Sequence, residues 1–294
     1  MPWIPRGLRE GIVTSRYPRR PDGYGEGFRG TMVVHPGRDG DRRIALTAEA
    51  CPTEAISVEH GRPRLDRGRC ILCGRCAELY PQVFRFDPGF DTSAVRREAL
   101  VVPAGHEDDD DAVERARTAL GRRVKALRRS VHIRHVDAGS DGAEEWEVAA
   151  LTNPVYDVQR LGIFFTASPR HADLLLATGV GTAGMLDPLR ETYDVMPEPK
   201  VVIAAGVDAI SGGMVGGGYV ARGGLTDSLP VDVFVPGSPP TPFGLLHGIL
   251  LAVGLLPVGT RGGHGPSNAR PLVRTERGAH GPVSPEDPPV EAGP

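Results

Sequence analysis

A chain of 294 residues has room for about two domains. Its 40% apolar and 24% charged residues are ordinary for a soluble globular protein, and a net charge of −3 leaves no electrostatic footprint for nucleic acid. The longest apolar run, Phe243 to Leu256, is shorter than the ~20 residues a bilayer span needs. The opening Met1-Pro-Trp-Ile-Pro lacks the apolar core of a secretory leader, so a reducing, cytoplasmic setting with no direct membrane span is expected.

Residues 1–30 read as an extended or partly helical arm that ends in a Pro/Gly-rich stretch. Residues 31–100 hold all four cysteines: Cys51 ahead of Pro52, then Cys70-Ile-Leu-Cys73-Gly-Arg-Cys76. Bacterial ferredoxin runs place Cys-x-x-Cys-x-x-Cys ahead of a fourth Cys-Pro, and that fourth cysteine ligates the other cluster. The second run here keeps its first three cysteines and has Tyr80-Pro81 in fourth place. The first run is the mirror case, with Asp41, Ile44 and Thr47 in the first three places and only Cys51 surviving. Cys51, Cys70, Cys73 and Cys76 are therefore a full ligand set for one [4Fe-4S] cluster, with nothing left for a second. Cys-x-x-Cys also serves zinc sites and redox disulfides. A zinc ribbon sets two separated pairs, whereas three cysteines at two-residue gaps with a lone pre-proline fourth suit iron–sulfur ligation.

Residues 101–130 read as a linker helix, with Glu107 to Asp111 acidic at its start and Arg128-Arg129 basic at its end, as a helix dipole favours. From residue 131 to 256 the pattern turns α/β. Val131–Val136, Gly162–Thr166, Asp173–Ala177, Val201–Ala205 and Val231–Val235 are strands, the short apolar ones of the buried parallel kind. Helices are expected over Glu144–Leu151, from an Asp187-Pro188 start to Met196, and from Pro242 to Gly254. The class expected is an α+β ferredoxin-like module followed by an α/β, flavodoxin-like, doubly wound parallel sheet. Residues 257–294 are Gly/Pro/Arg-rich and read as a disordered tail. Gly179-Val-Gly181-Thr-Ala-Gly184 imitates a dinucleotide fingerprint, but a helix starting only at Asp187-Pro188 would leave no N-terminus at the glycines. Gly212 to Gly218 lacks the Gly-Lys-Ser/Thr ending of a P-loop and reads as a surface loop.

Longer motifs carry two resemblances. Gly11-Ile-Val-Thr14, Tyr17-Pro18 and Phe28-Arg-Gly30, together with the cysteine runs, resemble the ferredoxin-type two-cluster subunit of complex I and group 4 hydrogenases. Residues 131–254 resemble the complex I 20 kDa subunit and the group 4 nickel–iron hydrogenase small subunit. They do so through Asp137-Ala-Gly-Ser140, Asn153-Pro-Val-Tyr156, Ser168-Pro-Arg-His171, Met196-Pro-Glu-Pro-Lys200 and Val235-Pro-Gly237. The resemblance implies a terminal [4Fe-4S] cluster on four cysteines, whose positions hold Asp141, Glu144, Asp208 and Ser238 here. Oxygen ligands do not normally hold an iron–sulfur cube, though they could hold a hard cation or simply face water or arginine.

The resemblance thus implies an electron-transfer and docking subunit with one cluster, cofactor-binding at Cys51, Cys70, Cys73 and Cys76 and no catalytic residue of its own. Its implied partners are a hydrogenase large-subunit-like or complex I 49 kDa-like subunit and membrane antiporter-like subunits. Its place would be peripheral, on the cytoplasmic face of the membrane. Near the terminal position, Ser168 to His171 would dock the partner. The alternatives are a non-redox scaffold or regulator with a structural or sensing cluster, and a nucleotide-dependent reductase resting on the glycine motif alone.

Overall fold

The computed structural model describes residues 3–20, 24–35, 41–103, 110–127 and 130–256. The run read as a disordered tail and most of the acidic run before the linker helix lie outside these. In the arm, α1 (Trp3–Glu10) has no buried residue. The residues after it are no loose lead-in. Ser15 N–H donates to Val155 O at 2.8 Å, Thr14 Oγ1 to Pro154 O at 2.8 Å, and Arg160 Nη2 to Tyr17 O at 2.8 Å. The arm is sewn onto the α/β unit.

The cysteine-bearing module is built from β1 (Thr31–Val34), α2 (Arg42–Glu49), β2 (Ile56–Glu59), β3 (Arg62–Asp66), α3 (Arg75–Leu79), β4 (Phe84–Asp87) and β5 (Val101–Val102). β1 pairs antiparallel with β4, and β3 lies antiparallel between β2 and β5. Met32, Ile44, Ile56, Leu65, Tyr80, Val83 and Phe84 close one small core between these sheets and the two helices.

Next comes α4 (Asp110–Arg123), the helix the sequence assigns to a linker. It is a packed element: Leu120 and Val124 are buried in the core of the α/β unit. The remaining elements are β6 (Val131–Asp137), α5 (Ala143–Ala150), β7 (Ile163–Phe165), β8 (Leu174–Thr178), α6 (Ala183–Asp194), β9 (Val201–Ala205), α7 (Val207–Ser211), β10 (Val233–Val235) and α8 (Pro242–Ala252). The five strands form a parallel sheet in the order β10-β9-β8-β6-β7. Alternate residues of each strand face opposite sides, so the sheet has two cores. Leu174, Leu176, Val201 and Ile203 pack against α4, α5 and α8 on one face. Leu175, Ala177, Val202 and Ala204 pack against α6 and α7 on the other. Helices on both faces of a parallel sheet are the α/β architecture expected.

One boundary is corrected. α6 starts at Ala183, directly after Gly179 and Gly181, and Pro188 lies inside it. Thr182 takes the extended backbone of an N-cap residue there, and the helix tolerates a proline that has no N–H for the carbonyl four residues back. The late helix start therefore cannot be what argues against a phosphate site. The backbone does so instead. Ala183 N–H donates to Val220 O and Thr182 N–H to Ala138 O, and a Cβ at Gly179 would run into the Gly139–Ser140 backbone. These glycines serve chain-to-chain packing.

The two units touch extensively. Ala94 and Phe234 exchange backbone hydrogen bonds at 2.9 and 2.8 Å, and Ser211 Oγ donates to Gly68 O at 2.8 Å. His247 Nδ1 accepts the Ser93 N–H at 3.3 Å.

Candidate metal centre and two vacated sites

Cys51 comes just after the end of α2, in a turn that puts Glu54 in the left-handed region, φ 52°. That turn brings the Ala55 N–H onto Cys51 Sγ at 3.3 Å. The other three cysteines lie on the loop from β3 into α3. Asp66 Oδ1 accepts the Gly68 N–H at 2.8 Å to open it, and Leu72 (φ 54°) and Gly74 (φ 85°) bend it. A side chain at Gly74 would be strained at that φ and would press on the Phe86 ring. Arg75 Nη1 donates to Ala50 O at 3.3 Å and ties the loop to the turn that carries Cys51.

The result is that Cys51, Cys70, Cys73 and Cys76 line one pocket with Met32, Ile56, Leu65 and Ile71. All four are free thiols, and Cys73 is exposed. Among the described residues no three His, Cys, Asp or Glu side chains gather as ligands of a single ion. Burial pushes the Cys70 thiol up to about 12 and the Cys76 thiol up to about 11, with the neighbouring cysteines adding to it. Backbone N–H groups of Leu72 and Ala77 work the other way, favouring thiolate. Left bare, such thiols keep their protons; metal loading must displace them. Soft sulfur donors, an apolar wall and N–H groups aimed at sulfur fit an iron–sulfur cluster.

The first run's non-cysteine positions are filled. Asp41 caps α2 by accepting the Arg43 N–H at 2.9 Å, and Tyr80 Oη donates to Asp41 Oδ2 at 2.7 Å. The Arg43 guanidinium lies 4.2 Å over the Tyr80 ring and pairs with Asp41 at 2.7 Å, which holds that carboxyl well below its usual range. Ile44, Thr47 and Tyr80 are all buried. Asp41, Ile44 and Tyr80 thus form one plug with Arg43, whose carbonyl accepts the Thr47 hydroxyl at 2.7 Å. Tyr80→Ala is expected to lower stability by about 3 kcal/mol or more through the cavity left beside Ile44 and under Arg43; a loss below about 1 kcal/mol in denaturant melts would refute the plug.

The four positions expected to replace terminal-cluster cysteines behave differently. Asp141, Glu144, Asp208 and Ser238 lie just past the ends of β6, β9 and β10. Glu144 is 2% exposed, and its Oε2 has no hydrogen-bond partner, whereas Asp141 and Ser238 are exposed. Burial, reinforced by Asp208, Asp141 and Glu145, raises the Glu144 carboxyl to about 7, and burial with Asp141 also raises Asp208. Among the described residues none of them is ion-paired with an arginine, and the water-facing reading fails for Glu144. Ser168 to His171, expected beside these positions, form a turn before β8, and that strand's far end leads to the glycine turn at Gly179. Arg170 and His171 are exposed there.

Sequence reasoning missed a polar chain beside this site. His135 Nε2 lies 3.0 Å from Thr178 Oγ1, which donates to Glu145 Oε1 at 2.5 Å, while Ser140 Oγ donates to Glu145 Oε2 at 2.5 Å. Its members are 5 to 43 residues apart, beyond any local motif. The His135-Val136-Asp137 strand end was its one signal.

A cysteine module joined to a parallel α/β sheet defines the class of chain. The family model "4Fe-4S single cluster domain" matches residues 64–121, which include Cys70, Cys73 and Cys76 but not Cys51. "NADH ubiquinone oxidoreductase, 20 Kd subunit" matches residues 142–252. Formate hydrogenlyase subunit 7 of Escherichia coli (strain K12) is 38% identical over 147 residues, 50% of this chain and 56% of that one. The probable membrane-bound hydrogenase subunit mbhJ of Pyrococcus furiosus is 38% identical over 48% of this chain and 84% of its own. An NADH-quinone oxidoreductase subunit of Geotalea daltonii is 47% identical over 35% of this chain and 61% of its own. The chain belongs to the NADH ubiquinone oxidoreductase 20 Kd subunit family, fused to a ferredoxin-type iron–sulfur module.

Proposed function

We propose that this chain is an electron-transfer and docking subunit of a membrane oxidoreductase related to complex I and group 4 hydrogenases. In this reading it holds one [4Fe-4S] cluster on Cys51, Cys70, Cys73 and Cys76, and none in the α/β unit. The observation that carries it is the single apolar pocket lined by all four cysteines of the chain. When bound, such a cluster supplies reversible one-electron transfer. The chain's own residues have three tasks there. The thiolates would bind iron, Ala55 N–H steadies Cys51 Sγ, and Met32, Ile56 and Leu65 form an apolar wall of the pocket that excludes water, while Cys73 is exposed. Cys70 also borders a cleft with Arg67, Pro236 and Gly237, the turn that leads to Ser238. The cysteine loop is therefore pressed against the vacated end of the α/β sheet.

Counted along the chain, the sheet order is 2-1-3-4-5, which supports a flavodoxin-like fold for residues 131–256. No helix among the described residues is long and apolar enough to cross a membrane. Relatives named as membrane-bound hydrogenase and NADH-quinone oxidoreductase subunits support a place in a membrane-bound complex; attachment through a large-subunit-like partner and membrane antiporter-like subunits, on the cytoplasmic face, is part of the same proposal.

Iron and acid-labile sulfide analysis with EPR spin counting on anaerobically purified chain tests this reading. About four of each per chain and one reducible signal are expected. Two clusters would overturn the claim for the vacated positions. Zinc without sulfide would overturn electron transfer and leave a scaffold, a reading favoured only by the missing thiolates at Asp141, Glu144, Asp208 and Ser238.

A further inference from the structure

Glu144 is the chain's most unusual buried group. It sits in the first turn of α5, 2% exposed, with Oε2 sealed and without any hydrogen-bond partner. The surrounding backbone is cut to receive it. A Cβ at Gly206 would collide with Glu144 Oε1, and one at Gly213 would collide with Asp208 Oδ1, so both glycines make room for carboxyl groups. Burial then falls away toward solvent. Asp208, on α7, is partly buried, and Asp141, on the loop after β6, is exposed.

We propose that Glu144 is a proton-binding site, loaded from solvent by way of Asp208 and Asp141, at a position where relatives of this chain are expected to hold a cluster. This rests on the reading that the α/β unit has no terminal cluster. The step is R–COO⁻ plus a proton from water giving R–COOH, with no change of oxidation state. An isolated carboxylate is too costly to bury unpaired, and neutralising it is the usual escape.

Every charged group facing it supports this. From its own helix comes Glu145, whose oxygens are taken by Thr178 and Ser140; from α7 comes Asp208; from the β6 loop comes Asp141. His135 on β6 and His247 on α8 are both held neutral by burial, His247 down to about 4. Arg134 alternates onto the opposite face of β6, and its Nε is itself buried without a partner. The α8 lead-in contributes only Ser238. No cation pairs with Glu144 among the described residues.

The sign is that of a raised carboxyl. Between about 4.5 and about 7 the folded chain binds a proton that the unfolded chain has lost, so stability falls as pH rises through that window and stays lower above it. The test is infrared pH titration of the full cluster-loaded chain, with unfolding midpoints measured on the same samples. Expected is one protonated-carboxyl band that disappears near neutral pH, is absent in Glu144→Gln and shifts to lower pH in Asp208→Asn. The unfolding midpoint should lose its slope across that window in Glu144→Gln. No band above pH 6 in the wild-type chain, or a band unchanged in Glu144→Gln, would overturn the proposal. Iron counts on the same samples separate the two claims. Two clusters sink the single-cluster reading, whereas one cluster without the band sinks the proton site alone.

Discussion

Cys70→Ser, purified anaerobically, is expected to hold roughly a tenth or less of the wild-type iron, the order of loss expected when one ligand of a folding-coupled metal site is removed. Cys70 is chosen because burial raises its thiol furthest and because it stands at the closed side of the pocket, toward Arg67 and the α/β unit. A water molecule cannot take its place there without being desolvated. Cys73 is exposed, so Cys73→Ser should keep a larger fraction of iron, with serine or solvent as substitute ligand. Asp141→Asn and Ser238→Ala should leave the iron content unchanged. The measurement is iron and sulfide per chain, with circular dichroism to show that each variant folds. Equal iron in Cys70→Ser and the wild type would remove Cys70 from the ligand set. Loss of iron in Asp141→Asn would restore the vacated positions as ligands.

Much of this candidate site was legible because its cysteines are marked by local spacing. Three cysteines at two-residue gaps and a pre-proline fourth can be read without knowing the fold. The identity of what replaced the lost ligands was equally plain, but not what it does. Tyr80 reaches Asp41 across 39 residues and lies under Arg43, and only the folding of α3 back onto α2 brings them together. The same limit applies to Glu144. Its residue type suggested solvent, arginine or a cation; that Gly206 makes room for it and no donor reaches its Oε2 depends on β9 and α5 meeting. In the α/β unit the strands were readable as short apolar runs, since both faces of the sheet are covered. The start of α6 was misread because Asp187-Pro188 is a strong local start signal, and Thr182, capped by packing against Ala138 and Val220, is a weak one. The helix at 110–123 looked polar enough for a linker, yet Leu120 and Val124 suffice to dock it.

Phe243→Ala is expected to destabilise the chain by about 3–5 kcal/mol, the usual cost of emptying a fully buried aromatic site. The ring is 0% exposed at the start of α8 and is met by five other aromatic rings. Tyr17, Tyr24 and Phe28 come from the arm at centroid distances of 6.0, 5.6 and 6.0 Å. Phe90, stacked at 4.7 Å, comes from the end of the cysteine module, and Tyr156, edge-on at 4.7 Å, from the α/β unit. Three stretches of chain that are far apart in sequence therefore share one anchor. Each offset or edge-on pair adds about 0.5–1.5 kcal/mol beyond burial. Such pairs do not add up independently once the shared ring is gone. Set against a typical total of 5–15 kcal/mol, the loss would consume much of the stability of the chain. It should also have a spatial signature, since α1 is wholly exposed and, apart from the rings that also meet Phe90, the arm is tied mainly by hydrogen bonds with Val155, Pro154, Arg160 and Asp91. Limited proteolysis should then cut between residues 10 and 30 well before it cuts the α/β sheet, while Phe243→Leu, which keeps most of the volume, should slow that cleavage. A Phe243→Ala chain with an intact arm and less than about 1 kcal/mol of destabilisation would mean that the arm and the two units are held by their hydrogen bonds, and that the aromatic cluster merely fills space between them.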